Sequence, residues 1–143
     1  MVKARNHSLI CTEDVRHFIL DRDAQDNPLL MDLAFSEDEI DRSIRYACMS
    51  FNEIPPYVFD VHPERIPFEA CFLHGILYHL YLAKFSQLSR NDIDHQEGNM
   101  TVEVTKRLIA NLKDLMQFHK TEFETAAKNR KITANVSAAF ANF

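Results

Sequence analysis

Glycine is nearly absent from this chain of 143 residues, which has only Gly75 and Gly98. A phosphate-cradling loop needs several glycines to bring backbone N–H groups around the phosphate, and a nucleophile elbow needs them around its serine, so neither is present. Cysteine is equally scarce. Cys11, Cys48 and Cys71 are odd in number and widely spaced, without the CxxC clustering of a zinc site or a redox pair. They read as reduced, mostly buried small hydrophobes, which predicts an intracellular setting. The three Asn-x-Ser/Thr triplets, at 6–8, 99–101 and 135–137, are read as chance matches, because no apolar signal-peptide core opens the sequence. Positive charge is not in excess either: the formal net charge is -5, which disfavours a protein that grips phosphates through clustered Lys and Arg, though not one that DNA passes nearby. Strand alternation is almost missing. With 46% apolar and 26% charged residues, the chain is most simply one soluble domain with a real core.

What remains is helical periodicity. A first short helix opens at Thr12, with Glu13 and Asp14 suited to the positive end of its dipole and Val15, Phe18 and Ile19 on one face. It ends near "DRDAQDNP", turn chemistry too polar for a core. A second helix begins at Ser36, which with Glu39 forms a capping box, and Ile40, Ile44, Ala47, Cys48 and Phe51 then recur at helical spacing. It must stop at Pro55 and Pro56, since each proline pushes the residue before it out of the α region. The diproline predicts a stiff extended exit that brings Tyr57 and Phe59 back over the bundle.

Pro67 suits the first turn of the longest apolar stretch, "FEACFLHGILYHLYLAKFSQLSR". Apolar groups surround this segment, so it reads as a central helix. Glu69, His74, His79 and Lys84 interrupt it, where a membrane span needs about 20 consecutive mostly apolar residues. After the polar loop "NDIDHQEGN", Thr101 can cap a last helix striped by Val104, Leu108, Leu112, Leu115, Phe118, Phe123 and Ala126. Run to residue 130, that helix would be roughly 40 Å long and overhang a small domain. The expected architecture is an all-α bundle of about four helices over residues 1–130, including an N-terminal arm, with an extended C-terminal arm at 131–143.

Chemistry is sparse. His74 and His79 lie five residues apart, while two ligands on one helix face need three or four. Glu69 stands five before His74 and also misses the Glu-x-x-His spacing of carboxylate-bridged metal bundles; His119 and Glu122 have a spacing of three, but no second motif accompanies them. Structural histidines and a solvated helix face are the simpler readings. No catalytic, cofactor-binding or metal-binding residue is assigned.

The order "SEDEIDRSIRYACMSFNEIPP", a long apolar helix, "SRNDIDHQEGNMTVEVTKR", and a final amphipathic helix with "KNRKITANVSAAF" resembles the head–tail connector (adaptor) proteins of tailed bacteriophages. The likeness covers roughly residues 36 to 140, with "FNEIPP" and "RNDIDHQEG" its most characteristic parts. It implies a structural protein of the virion neck, assembled in the host cytoplasm. Family members form a ring, commonly of twelve copies, that docks on the portal, receives a further neck or tail protein, and surrounds double-stranded DNA without reading its sequence. No enzyme activity, cofactor or membrane is implied. The expected partner contacts are Arg90, Asn91 and Asp92 in the polar loop, and Ile132, Val136, Phe140 and Phe143 on the arm, with the two phenylalanines as anchors. From the residues alone, two other classes stay open: a small bacterial helical protein-binding or regulatory module, and a metal-dependent helical-bundle enzyme using His74, His79 or His119 with nearby carboxylates.

Overall fold

The computed structural model describes residues 10–22, 34–92 and 99–141, and within them all side chains but those of 91–92 and 99–105. Their order is α1 (Thr12–Ile19), α2 (Glu37–Glu53), α3 (Glu69–Asp92) and α4 (Asn99–Ala141), with no sheet among the described residues. The expected all-α architecture is therefore found; the expected N-terminal arm falls on residues outside those described.

Helix α1 opens at Thr12 as expected, but its cap is the residue before, and not Thr12 itself. Cys11 is the N-cap, and Asp14 Oδ2 accepts both its backbone N–H and its thiol at 3.0 Å. Thr12 is thereby freed to donate to Asp41 Oδ1 at 3.2 Å, tying α1 to α2. Val15 is buried, while Phe18 is half exposed, so the expected apolar face is narrower than read. The helix ends at Leu20 in the left-handed region (φ 56°), from which Asp21 turns back into the protein. Asp21 corrects the reading of "DRDAQDNP" as too polar for a core: it is buried, accepting Arg16 Nη1 at 3.1 Å and the backbone N–H groups of Ala34 at 2.8 Å and Phe35 at 3.2 Å. A buried carboxylate is tolerable here because its oxygens meet a cation and two backbone donors.

Helix α2 follows its local code. Ser36 Oγ accepts from Glu39 N–H at 3.3 Å, and the Glu39 carboxylate accepts from Ser36 N–H at 2.7 Å. Ile40, Ile44, Ala47, Cys48 and Phe51 are all buried, while Asp41, Arg42 and Arg45 face out. Ser36→Ala is expected to destabilise the fold by about 1 kcal/mol, as loss of an N-cap oxygen commonly does. Urea unfolding would read this as a lower midpoint at an unchanged slope.

The diproline ends α2 as expected, leaving Ile54 extended (ψ 121°). Phe59 returns to pack on Phe51 and Phe68, at ring separations of 5.7 and 6.3 Å, but Tyr57 remains 77% exposed. The return is clipped by Asn52, whose side-chain amide donates to Val61 O at 3.0 Å and accepts from Val61 N–H at 2.8 Å.

Helix α3 begins just after Pro67 and packs along both α2 and α4. Its first half is enclosed, with Cys71, Phe72, Ile76, Leu77 and Leu80 buried; Leu82, Phe85 and Leu88 beyond it are only half covered. Helix α4 runs antiparallel to it, for Cys71 reaches Phe123 while His74 reaches His119. With 43 residues, α4 spans about 65 Å. Thr101 lies inside it and does not cap it. The expected stripe divides: Leu112 and Phe123 are buried, but Leu108, Leu115 and Phe118 stay about half exposed, Phe118 at the edge of the seam beside His74. The buried seam instead runs through Leu112, His119, Phe123, Ala127 and Lys131.

The expected extended arm at 131–143 is also corrected, because α4 continues without a break through Ala141. No glycine or proline interrupts residues 99–141, and Ala134, Ala138, Ala139 and Ala141 are strong helix formers. A helix already nucleated and packed propagates at little cost into such a segment. Among the described residues, no helix is long and apolar enough to cross a membrane.

Candidate functional site

The last ten helical residues, Ile132 to Ala141, leave the bundle. All of them except the half-buried Ala134 are exposed, and they project for about 15 Å. Ile132, Val136 and Phe140, exposed to 51, 48 and 74%, stand at successive four-residue steps and so form one apolar stripe. The segment carries no charged side chain after Lys131.

The base of this overhang is fixed by Lys131. Its side chain is fully buried, and Nζ donates to the backbone carbonyls of Phe51 at 2.7 Å, Asn52 at 3.4 Å, and Ile54. These carbonyls lie where the diproline stops α2; Phe51 O also accepts the Ile54 N–H at 3.2 Å, while the donor positions three and four residues after Asn52 are prolines without an N–H. Three acceptors match the three donors of an ammonium, whereas a neutral amine has only two. The cation also lies 4.8 Å from the Phe51 ring centre and 5.9 Å from that of Tyr57. Burial pushes the Lys131 pKa down, and the Asp60 carboxylate opposes that shift. Next to it, the Arg130 guanidinium stacks 4.8 Å over Phe68. The residues that end one helix and those that launch the overhang are thus a single knot.

Arg90 is exposed on the last turn of α3, and its Nε donates to Ser86 O at 3.3 Å. Asn91 and Asp92 continue that helix, so these three contact candidates stand on helix and not in the expected loop. Residues 93–98 of that loop, and Phe143, lie outside the described residues. Because α3 and α4 are antiparallel, the Arg90 end and the Phe140 end are opposite ends of the molecule, about 60 Å apart along α4. The structure brings Ile132, Val136 and Phe140 together and separates them from Arg90.

The histidines fall into two different contacts. His79 Nε2 lies 2.9 Å from Ser50 Oγ between α2 and α3, and burial lowers its pKa. Among the described residues no carboxylate is hydrogen-bonded to the His79 ring, so the third member of a Ser–His–carboxylate triad does not accompany this pair. His74 and His119 meet across the α3–α4 seam. The described residues contain no group of three or more His, Cys, Asp or Glu placed to hold a metal ion. Burial raises the thiols of Cys48 and Cys71 to about 11, with Arg130 opposing the shift at Cys71, so both are protonated and poor nucleophiles.

Neither the buried role of Lys131 nor the histidine pair is evident from apolar patterning. The signal that could reveal them is the spacing of four, three, four, four and four residues joining Leu112, Met116, His119, Phe123, Ala127 and Lys131, which marks one helix face whatever the polarity of its members. No protein-family model, curated protein or solved structure matches this chain.

Proposed function

We propose that this chain is a structural protein of the neck of a tailed-bacteriophage virion, a connector whose copies form a ring on the portal around the DNA channel. The observation that carries the reading is the overhang: a helix anchored in the bundle at Lys131 and carrying an uncharged, apolar-striped end beyond it. A protein with only internal work for its helices has no use for such a projection, whereas a ring subunit needs a rigid element to reach a neighbour or the portal. The resemblance of residues 36 to 140 to connector proteins supports the same reading. So does the net charge of -5, since a strongly basic channel would hold phosphates and slow the passage of DNA. The stripe of Ile132, Val136 and Phe140 supplies the anchors, and Arg90 marks a second contact at the far end.

Truncation after Lys131 tests this. Lys131 must be kept because it belongs to the core, while removal of the exposed residues beyond it is expected to change folding stability by less than about 0.5 kcal/mol. The truncated chain should stay folded by circular dichroism yet fail to co-sediment with portal rings, and negative-stain images should show portals without the added ring. Attachment equal to that of the full chain would reject the overhang as the gripping element. Absence of any ring on portals with the full chain would reject the connector reading itself.

A further inference from the structure

His74 and His119 approach with Nδ1 to Nδ1 at 2.8 Å, His74 from α3 and the buried His119 from α4. A hydrogen bond between two imidazole nitrogens needs one N–H and one lone pair. One ring must therefore have a bare Nδ1 and be neutral, with its proton on Nε2. The other ring donates from Nδ1 and can be neutral or charged without disturbing the bond. A second positive charge is different. It places N–H against N–H in the gap and two cationic rings 5.1 Å apart between centres.

The surroundings offer little relief for that state. Phe118 lies against both rings, at 6.0 Å from His74 and 5.1 Å from His119, and Tyr81 from α3 covers His119 at 5.6 Å. From α4, the Glu122 carboxylate acts on His119, but it is exposed; Lys120 is turned away toward Tyr78 and Glu124. The segment entering α2 reaches this neighbourhood through Phe35, edge-on to Tyr81 at 6.4 Å. Helix α1 meets α3 beside Leu73, in a groove that also holds Glu13, Asp14, Arg16, His17 and Arg22. Burial, and then the charge of His74, lower the His119 pKa, with Glu122 opposing. One residue along α3, Gly75 lies directly against the Phe123 ring, so the two helices approach closely beside the pair.

We propose that the His74–His119 pair is a proton latch on the α3–α4 seam: it holds while the two rings carry at most one positive charge, and a second charge parts the helices. The latch is independent of what the overhang binds. Its direction follows from proton counting. In the unfolded chain both histidines protonate near pH 6.5, whereas the folded pair takes one proton fewer, so stability is complete above that pH and falls as pH drops.

The experiment is urea unfolding of the full chain at pH 7.0 and 5.5, comparing wild type with His74→Gln and His119→Gln. Glutamine can face the remaining Nδ1 with either amide group, and the remaining histidine can then protonate without a like charge opposite. Between these two pH values the wild-type unfolding constant is expected to rise about tenfold more than that of His119→Gln, one proton's worth of linkage, and by a smaller margin more than that of His74→Gln, in which burial still holds His119 down. The same pH dependence in all three proteins would overturn the proposal. If a variant fails to fold, titration of the wild-type ring resonances by NMR decides the matter independently. The latch requires the two rings to become charged at separate pH values, and independent protonation of both near pH 6.5 would overturn it.

Discussion

Lys131→Met is expected to destabilise the protein by about 3 kcal/mol, which for a chain of this length is a fall of about 10 °C in melting temperature. Methionine has nearly the length of the lysine stem and fills the same space, so the loss isolates the ammonium. What disappears is the set of hydrogen bonds to the Phe51, Asn52 and Ile54 carbonyls. Phe51 O keeps the Ile54 N–H at 3.2 Å, but the donor positions three and four residues after Asn52 are Pro55 and Pro56, which have no N–H. A buried carbonyl without a partner costs about 1–3 kcal/mol, and removal of a buried charge offsets part of the total. The measurement is the midpoint of thermal or urea unfolding. An unchanged midpoint would mean that water satisfies the end of α2 and that Lys131 contributes packing alone. Since Lys131 is also the last anchored residue before the overhang, the variant should release the projection at its base, detectable as faster proteolysis after Arg130.

The parts of this fold that are legible in the sequence are those whose physics is local. Ser36 and Glu39 satisfy each other three residues apart, and the apolar spacing of α2 alone puts Ile40, Ile44, Ala47, Cys48 and Phe51 inside. What is not legible has its cause far away in the chain. Apolar identity directs attention to Leu108, Leu115 and Phe118, yet the buried face of α4 contains His119 and Lys131, because His74 and the end of α2 offer them partners 45 and 80 residues distant. Asp21 is a similar case, buried because the backbone of Ala34 and Phe35 comes to meet it. A polar residue on a helix has no visible reason to be internal until its partner is placed. The overhang is half legible: Ile132, Val136 and Phe140 stand out as apolar residues on a weakly patterned tail. Their four-residue spacing is the mark of continued helix.

Gly75→Leu is expected to cost about 3 kcal/mol for the opposite reason, too much matter where two helices touch. Glycine in a helix interior is itself unfavourable by about 1 kcal/mol relative to alanine, so its presence in α3 calls for a steric cause. A Cβ at Gly75 would meet Phe123 Cε2 at 2.7 Å and Cδ2 at 2.8 Å, closer than such atoms pack. The ring cannot simply retreat, since Phe123 is buried and set edge-on to Phe72 at 6.1 Å. Alanine would gain its helix propensity while adding an overpacking cost of about 1–3 kcal/mol, for a net loss near 1 kcal/mol. Leucine adds three more carbons to the same gap and must part α3 from α4, stretching the Cys71 and His74 contacts that precede it along α3. A double-mutant cycle separates this steric mechanism from a general intolerance of the site. Phe123→Leu alone should be destabilising, but combined with Gly75→Ala it should lose less than the sum of the two, by about 1 kcal/mol, because the smaller side chain admits the added methyl. Strict additivity would place the need for glycine somewhere other than the Phe123 ring.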